Sequence, residues 1–246
     1  MNDVRKGYND DRLLIAMWSA PRSRSTAFER MVMERGDFLV LHEPFSHVAD
    51  FGTATIDGTT VHSERELIDA LSELRGRIFF KDTTDFHYPE LLADQAFLRH
   101  AAHTFIIREP REVIASHVAL NPAVTRDEIG FAWLHEIYEA VVAATGAEPV
   151  VIDSDDLLDR PAATVEAYCK RVGIPFLAEA LRWDKGVPQQ WRRTERWHQG
   201  ASASSGFERR SEPGDDRNVV DDPVLGEYYR YHLPYYTKLW ERRLQV

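Results

Sequence analysis

The sequence predicts a three-layer α/β domain, in which a mainly parallel central sheet carries helices on both faces. Short apolar runs alternate along the chain with longer segments of helical periodicity, and short loops join them. Polar side chains follow these runs, at positions that become the carboxyl ends of strands in such a sheet. A chain of 246 residues suits one well-filled core, and we expect a single domain over residues 1–246.

The predicted strands are the short apolar runs at residues 13–18, 38–41, 77–81, 104–107 and 149–152. The predicted helices are the segments with apolar residues three or four apart, at residues 25–35, 88–100, 110–120, 127–145 and 162–172. A last helix at residues 223–244 is expected to be interrupted near Pro234, because proline lacks the N–H that a helix needs. Residues 198–216 have no apolar period, which predicts a loop that is mobile or ordered by a ligand.

The first apolar run leads into Pro21-Arg22-Ser23-Arg24-Ser25-Thr26 and then into a helix. A strand, a tight polar loop and a helix N-terminus form an anion site, because unpaired N–H groups and the helix dipole point at one spot. The hydroxyls of Ser23, Ser25 and Thr26 add donors, and Arg22 adds a positive charge. The alternative is that Ser25 only caps the helix, with Arg22 and Arg24 in solvent.

A second apolar run, at residues 104–107, leads into Arg108, Pro110 and another helix. Arg108 is expected at the carboxyl end of the strand, and Ser116 lies about two helical turns further on. Both side chains are then expected to face the crevice that holds the first loop. The sequence therefore predicts two anion sites on one edge of the sheet.

These two segments resemble the sulfotransferases that use 3′-phosphoadenosine 5′-phosphosulfate (PAPS). The family loop, PRSGST or PKSGTT, corresponds to PRSRST at residues 21–26, and the family pattern RxPxxxxxS corresponds to REPREVIAS at residues 108–116. Weaker matches are HEPF at residues 42–45, FFKDTTDFH at residues 79–87 and the segment at residues 155–176. The resemblance implies a P-loop-like sulfotransferase that moves a sulfuryl group from PAPS to a hydroxyl or amine of a small-molecule acceptor. It also implies 3′-phosphoadenosine 5′-phosphate (PAP) as the product, and no metal.

The resemblance further implies which residues hold the nucleotide. The 5′-phosphosulfate is assigned to Arg22, Ser23, Arg24, Ser25 and Thr26, and the 3′-phosphate to Arg108 and Ser116. A late segment of the family adds small and basic residues, whose counterparts here are Ser204, Ser205, Gly206, Arg209 and Arg210. Two positions depart from the family: Arg24 stands where glycine is usual, and Ser154 stands where an aromatic residue usually faces the adenine. We therefore expect the adenine contact to come from Trp191, Trp197 or Phe207.

Sulfuryl transfer needs a group that meets the charge growing on the leaving oxygen and a base that takes the proton of the acceptor. By resemblance, Arg22 has the first role. Glu43 matches the glutamate that some family members use as the base, and His87 is the counterpart of the histidine that others use. His42, or no base at all, stays open, and so does a structural salt bridge from Glu43 to Arg22 or Arg24. Lys81 ends an apolar strand, so it needs an anionic partner, either Glu43 or the phosphosulfate.

Composition excludes several classes of protein. The net charge of −10 argues against nucleic acid as the main ligand and favours a small molecule. The single cysteine, Cys169, excludes an internal disulfide, and the histidines show no metal-binding spacing. The chain has no run of about 20 apolar residues and no signal-like N-terminus, so we expect a cytoplasmic protein without a membrane contact. The aromatic residues after Pro223 suit a packing face or a homodimer contact.

Two other functions remain as alternatives. An ATP-dependent phosphotransferase would use the same architecture, but residues 13–35 contain no glycine and no GxxxxGK[ST] motif. A protein that kept the fold and lost the reaction would bind a nucleotide or a partner, and Arg24 and Ser154 keep this reading open. The acceptor is expected to be selected by loops at residues 46–64, 121–128 and 198–216.

Overall fold

The fold is described from a computed structural model, over residues 12–209, 214 and 217–246. The strands are, in chain order, β1 (Leu13–Ser19), β2 (Leu39–His42), β3 (Ala54–Ile56), β4 (Thr59–Val61), β5 (Arg77–Thr83), β6 (Ala102–Ile107) and β7 (Val150–Asp153). Five of them form one parallel sheet in the order β2-β5-β1-β6-β7, while β3 and β4 form a separate antiparallel pair.

The α-helices are, in chain order, α1 (Ser25–Arg35), α2 (Pro44–Phe51), α3 (Glu64–Glu73), α4 (Pro89–Ala93), α5 (Gln95–His100), α6 (Pro110–Leu120), α7 (Phe131–Thr145), α8 (Ser154–Asp159), α9 (Pro161–Val172), α10 (Gln199–Ser202) and α11 (Leu225–Trp240). Three short 3₁₀ helices lie at Asp127–Ile129, Ala178–Leu181 and Gln189–Trp197.

Both faces of the sheet are covered, as the central strand β1 makes clear. Its side chains alternate between the faces. Leu14, Ala16 and Trp18 belong to one buried apolar cluster, whereas Ile15 and Met17 belong to another. The predicted three-layer α/β fold is therefore confirmed, and the carboxyl ends of all five parallel strands meet at one edge of the sheet.

Several predicted elements were wrong in extent, for local reasons. The predicted loop at residues 46–64 instead contains most of α2 and the β3–β4 hairpin. The predicted helix at residues 88–100 is two helices, because Asp94 ends the first and its carboxylate accepts the Phe97 N–H at 2.8 Å to start the second. The predicted helix at residues 127–145 is broken at Gly130, whose φ is 88°.

The last helix, α11, continues through Pro234 rather than stopping there. The helix packs against α6 and α7, and His232 and Tyr236, on either side of the proline, both contact the ring of Phe131 on α7. Tyr228, Tyr229, Tyr235 and Tyr236 pack against the larger apolar cluster, while Trp240 is exposed. Most of the aromatic stripe thus has a packing role within the chain, and a homodimer through this segment stays a prediction. Within the described residues, no helix is both long and apolar enough to span a bilayer.

Candidate active site

The loop between β1 and α1 has a backbone conformation that glycine usually supplies. Arg22 and Arg24 have φ values of 65° and 66°, in the left-handed region. Such a conformation costs a residue other than glycine about 1–2 kcal/mol. Arg24 stands at the N-cap of α1 and its side chain does not cap the helix. The first N–H groups of α1 therefore keep their capacity to bind an anion.

Ser23 gives independent evidence that the loop suits an anionic ligand. Its side chain is fully buried, and its Oγ has no hydrogen-bond partner within the described residues. A buried polar atom left unpaired costs about 1–3 kcal/mol, and an oxygen of a bound phosphate or sulfate group would remove that cost. Nearby, Ser25 Oγ accepts from Ser19 Oγ at 2.8 Å, and Thr26 Oγ1 lies 3.3 Å from His198 Nδ1.

The side chain of Arg24 reaches from the loop toward the β6 and β7 side of the sheet. Its guanidinium lies 2.9 Å from Asp155 Oδ1 and 3.3 Å from Glu112 Oε2, and it donates to Ser154 Oγ at 3.2 Å. Arg24, which stands where glycine is usual, therefore links the loop to the first turns of α6 and α8. Ser154, which stands where an aromatic residue is usual, accepts one of the hydrogen bonds that form this link.

The two predicted anion-binding segments meet at the edge of the sheet. Arg108 Nη1 donates to the backbone carbonyl of Arg22 at 3.1 Å, and Arg108 Nε donates to Glu112 Oε2 at 2.8 Å. Arg22 Nε in turn donates to Ser116 Oγ at 3.0 Å, and Arg22 Nη1 donates to the carbonyl of Trp197. Residues that lie far apart in sequence thus form one contiguous group around Arg22.

On the other side of the loop, the carboxyl ends of β2 and β5 bring Glu43 and Lys81 together. The two strands pair with His42 opposite Lys81, and the ammonium of Lys81 forms an ion pair with Glu43. The side chains of Lys81 and Glu43 are only 2% and 10% exposed. Burial alone would raise the pKa of Glu43, but the charge of Lys81 and then that of His42 outweigh burial and hold this pKa well below its usual range.

His42 lies behind this ion pair and is buried. Its Nδ1 is 2.8 Å from Glu29 Oε2, and its Nε2 is 3.5 Å from Glu43 Oε2. Burial would lower the pKa of His42, but the carboxylates of Glu29 and Glu43 outweigh burial and raise this pKa above its usual value. His198, whose Nε2 is 3.1 Å from His42 Nε2, is neutral because burial holds its pKa far below the usual value.

A cavity of about 430 Å³ runs along this edge of the sheet. Its size falls within the about 300–1,000 Å³ that is common for small-molecule sites. Of the residues singled out from the sequence as catalytic or nucleotide-binding, its lining includes Arg22, Arg24, Ser25, Thr26, Glu43, Lys81, Ser204 and Gly206. The cavity therefore joins the anion-binding loop to the buried Glu43–Lys81 pair.

A family model for the sulfotransferase domain matches residues 13–243, which is most of the chain. The chain belongs to the sulfotransferase family. A sulfotransferase from Alicyclobacillus acidocaldarius is similar in fold, with a TM-score of 0.52 and 13% identity, over 96% of this chain and 98% of that chain. The resemblance in the sequence is therefore confirmed at the level of family and fold.

This sulfotransferase-family chain is also similar to two plant proteins. Branched-chain-amino-acid aminotransferase-like proteins 2 and 1 of Arabidopsis thaliana are 29% and 28% identical to it over an alignment of 208 positions, and the alignment covers 79% of this chain. The match spans only 36% of the length of each relative. Their names therefore describe proteins much longer than the part that is shared with this chain.

Several of the site residues predicted for this sulfotransferase domain lie behind the residues that line the cavity. Ser23, His42, Arg108 and Ser116 are all buried and are absent from the lining. Arg108 and Ser116 contact Arg22, which does line the cavity. Ser205 is also absent from the lining, and its hydroxyl donates to Glu208 at 3.3 Å.

The structure does not bring His87 to the cavity. Its ring packs on Trp133 with 4.4 Å between centroids, and its Nε2 is 3.0 Å from Glu136 on α7. The side chain is 40% exposed on the outer surface. The chain turns away after Asp85 and Phe86, which do line the cavity. This position does not support a role for His87 as the base.

The late segment of the sulfotransferase domain covers one end of the cavity. Trp197, Gly206 and Phe207 line it, together with Ala27 and Leu158. Trp191 does not line it, because its ring is fully buried against His42 and His198. Arg209 pairs instead with Asp155 and Asp159 on α8, and Arg210 lies outside the described residues.

Sequence reasoning missed the residues at the other end of the cavity. Ser46, His47, Asp50 and Phe51 lie on one face of α2, spaced three or four apart as one helix face requires. Thr83, Asp85 and Phe86 follow β5. The signal in the sequence is Pro44, because proline is favoured at the first position of a helix.

One group of side chains has the composition of a metal site. Ligand atoms of His42, Glu43 and His47 all lie within 4.8 Å of one another. Glu43 is already paired with the ammonium of Lys81, and His42 Nδ1 lies 2.8 Å from Glu29 Oε2. The ammonium opposes a cation and occupies the carboxylate of Glu43, so these residues do not suit a metal as they stand.

Proposed function

We propose that this chain transfers a sulfuryl group from PAPS to a hydroxyl or amine of a small molecule. The observation that carries the proposal is the contact between the loop after β1 and the segment after β6, where Arg108 donates to the carbonyl of Arg22 at 3.1 Å. A nucleotide with phosphates at both ends needs two anion-binding segments within one molecule's reach. The family match over residues 13–243 supports the same chemistry.

The loop end of the cavity supports binding of the phosphosulfate. Ser23 offers a buried hydroxyl that lacks a partner within the described part of the chain, and α1 offers its first N–H groups. Arg22 and Arg24 line the cavity and add positive charge. Arg108 and Ser116, which contact Arg22, would hold the 3′-phosphate beside it. Ala27, Leu158 and Phe207 offer an apolar wall for the adenine.

PAPS, when bound, supplies an activated sulfuryl group, so the protein has to align the acceptor and stabilise charge. Lys81 and Arg22 both line the cavity and can meet negative charge on the transferring group and the leaving oxygen. Removal of one such donor typically lowers turnover about 100- to 1,000-fold.

Glu43 is the base that we assign to the reaction. Its ion pair with Lys81 keeps its pKa low, so in this state it binds a proton weakly. If the ammonium of Lys81 turns toward an anion bound at the loop, Glu43 loses its strongest partner, and burial then raises its proton affinity. Glu43 would thus become basic when the donor is in place. His42 lies between Glu29 and Glu43, whose carboxylates raise its pKa, and it is suited to hold Glu43 in position.

Calorimetric titration with PAP tests the nucleotide assignment. We expect Arg108→Ala and Ser116→Ala each to weaken PAP binding by about 10-fold or more, because each removes a donor to a charged phosphate. Arg99→Ala removes an exposed arginine from α5 and is the matched control. PAP affinity that stays unchanged in both variants, with their folding verified by thermal melting, contradicts the assignment. ATP is titrated in parallel, and tighter binding of ATP than of PAP would favour a phosphotransferase.

Transfer itself is tested with PAPS that carries radioactive sulfur and a panel of small alcohols, phenols and amines. We expect label in an acceptor with the wild-type protein, and a loss of about 100-fold or more in Glu43→Gln, the size typical for removal of a positioned base. Tight PAP binding without label in any acceptor would favour the non-catalytic alternative.

A further inference from the structure

The order of the strands separates the cavity into two ends. The loop after β1 lies in the middle of the sheet edge, with β6 and β7 on one side and β5 and β2 on the other. Arg108 and Leu158 follow β6 and β7, on the side assigned above to the nucleotide. Residues of α2 and residues after β5 line the opposite end. We call this second region, formed by Ser46, His47, Asp50, Phe51, Asp85 and Phe86, the α2–β5 end.

The α2–β5 end has two carboxylates without an ion-pair partner among the described residues, the partly buried Asp85 and the exposed Asp50. Asp85 accepts a hydrogen bond from Thr83 Oγ1 at 2.8 Å, and neither Asp85 nor Asp50 forms an ion pair within the described ranges. The acidic residues nearer the nucleotide differ, since Glu112 and Asp155 both pair with Arg24. Burial raises the pKa of Asp85 to about 6, so at neutral pH it is an anion in a poorly solvated place.

The cations near these carboxylates are held by other groups, since the ammonium of Lys81 pairs with Glu43 and the guanidinium of Arg193 lies over Phe51. Burial lowers the pKa of His47 to about 4, so its imidazole is uncharged, and its Nε2 is buried without a hydrogen-bond partner in the part of the chain that is described. Phe51 and Phe86 supply aromatic surface. The ring of Phe51 already holds a cation on one face, the guanidinium of Arg193, at 3.6 Å from the ring centroid. Arg193 itself is not part of the cavity lining.

We propose that the acceptor of this enzyme carries a protonated amine, which the α2–β5 end binds through Asp85, with Asp50 and His47 as further acceptors and Phe86 as the apolar contact. An ammonium would give Asp85 an ion-pair partner, which the described part of the chain does not, with charge-assisted hydrogen bonds. The hydroxyl or second amine that receives the sulfuryl group then lies toward Glu43 and Lys81, which line the same cavity. This inference rests on the proposed function, because it identifies the substrate of that site.

The test uses three probes on one carbon skeleton: trans-4-aminocyclohexanol, cyclohexane-1,4-diol and 4-hydroxycyclohexanecarboxylate, which are cationic, neutral and anionic at neutral pH. Their binding to the PAP-saturated protein is measured by ligand-observed NMR titration. We expect the amine to bind about 10-fold or more tighter than the diol, and the acid to bind most weakly, because one buried charge pair contributes at least that much. Equal binding of amine and diol overturns the proposal, and so does no detectable binding of the amine at millimolar concentration.

Variants then assign the preference to a residue. Asp85→Asn should remove most of the preference for the amine over the diol and leave PAP affinity within about 2-fold, because Asp85 is remote from the nucleotide end. Asp69→Asn changes an exposed carboxylate on α3 and is the matched control. A preference that survives both Asp85→Asn and Asp50→Asn overturns the proposal. If PAP does not bind at all, the proposed function fails, and the same titrations on the nucleotide-free protein still decide whether this end selects a cation.

Discussion

Replacement of Lys81 by methionine tests the central ion pair through stability. Methionine fills a similar apolar volume but leaves the carboxylate of Glu43 buried without its main partner. Breaking a buried pair in this way costs about 3–5 kcal/mol. His42 Nε2 is 3.5 Å from Glu43 Oε2, and the neighbouring carboxylates raise the pKa of His42, which favours a compensating positive charge beside Glu43, so we expect the low end, about 3 kcal/mol. For a chain of this length, that corresponds to about 6–12 °C in the melting temperature.

A double-mutant cycle separates this loss from a simple packing defect. Lys81→Met/Glu43→Gln has no buried unpaired charge, so it should recover at least half of the stability lost by Lys81→Met alone. Lys170→Met, at an exposed position on α9, is the control and should change stability by less than about 0.5 kcal/mol. Urea denaturation gives the free energies of unfolding. A loss below about 1 kcal/mol in Lys81→Met, or a double variant no more stable than that single variant, would refute the reasoning.

The sign of the pH dependence follows from the direction of the shift. The folded-state pKa of Glu43 lies below its usual 4.5, so its contribution to stability is present above that pH and is lost as the pH falls further. The stability difference between the wild-type protein and Glu43→Gln should therefore shrink as the pH falls below about 4.5. A difference that grows toward low pH would contradict the direction of this shift.

Three further predictions concern residues around the cavity. Arg24→Gly should be more stable than Arg24→Ala by about 1 kcal/mol in urea denaturation, because both lose the contacts with Glu112 and Asp155 but only alanine keeps the left-handed strain; equal stabilities would contradict this account of the loop. His87→Ala should leave PAP affinity and transfer rate within about 2-fold, since the side chain pairs with Glu136 on the outer surface; a large loss of transfer would return His87 to the reaction. Burial raises the pKa of Asp85 from 3.8 to about 6, so ionisation of Asp85 lowers the free energy of unfolding as the pH rises through that range, by at most about 3 kcal/mol. Between pH 4 and pH 7, the free energy of unfolding of Asp85→Asn should lack this decrease. A pH profile identical to that of the wild-type protein would contradict the raised pKa.

The parts of the site that sequence reasoning located are those built from local patterns. The loop at residues 21–26 and the segment at residues 108–116 each join a buried strand to a helix over a few residues. Because the strands are parallel, the ends that carry Arg22 and Arg108 had to meet at one edge. Glu43 and Lys81 are expected at the same edge for the same reason, but their contact depends on the pairing of β2 with β5, which the sequence does not report.

The parts that were missed depend on contacts between distant residues. His87 lies two residues after Asp85, which lines the cavity, and its own position is decided by Trp133 and Glu136 on α7. No local pattern in the sequence reports that contact. The helix α2 escaped detection because it has only eight residues, too few for a clear apolar period, and begins directly after a residue with φ of 46°, Glu43.

The central claim is that the loop after β1 and the segment after β6 hold the two ends of one nucleotide. Its most direct test is calorimetric titration with PAP and with adenosine 5′-monophosphate, which lacks only the 3′-phosphate. The account predicts that wild-type protein binds PAP about 100-fold more tightly, and that Arg108→Ala removes most of this preference while it barely changes binding of the monophosphate. Equal affinity of the wild-type protein for the two nucleotides would contradict the account.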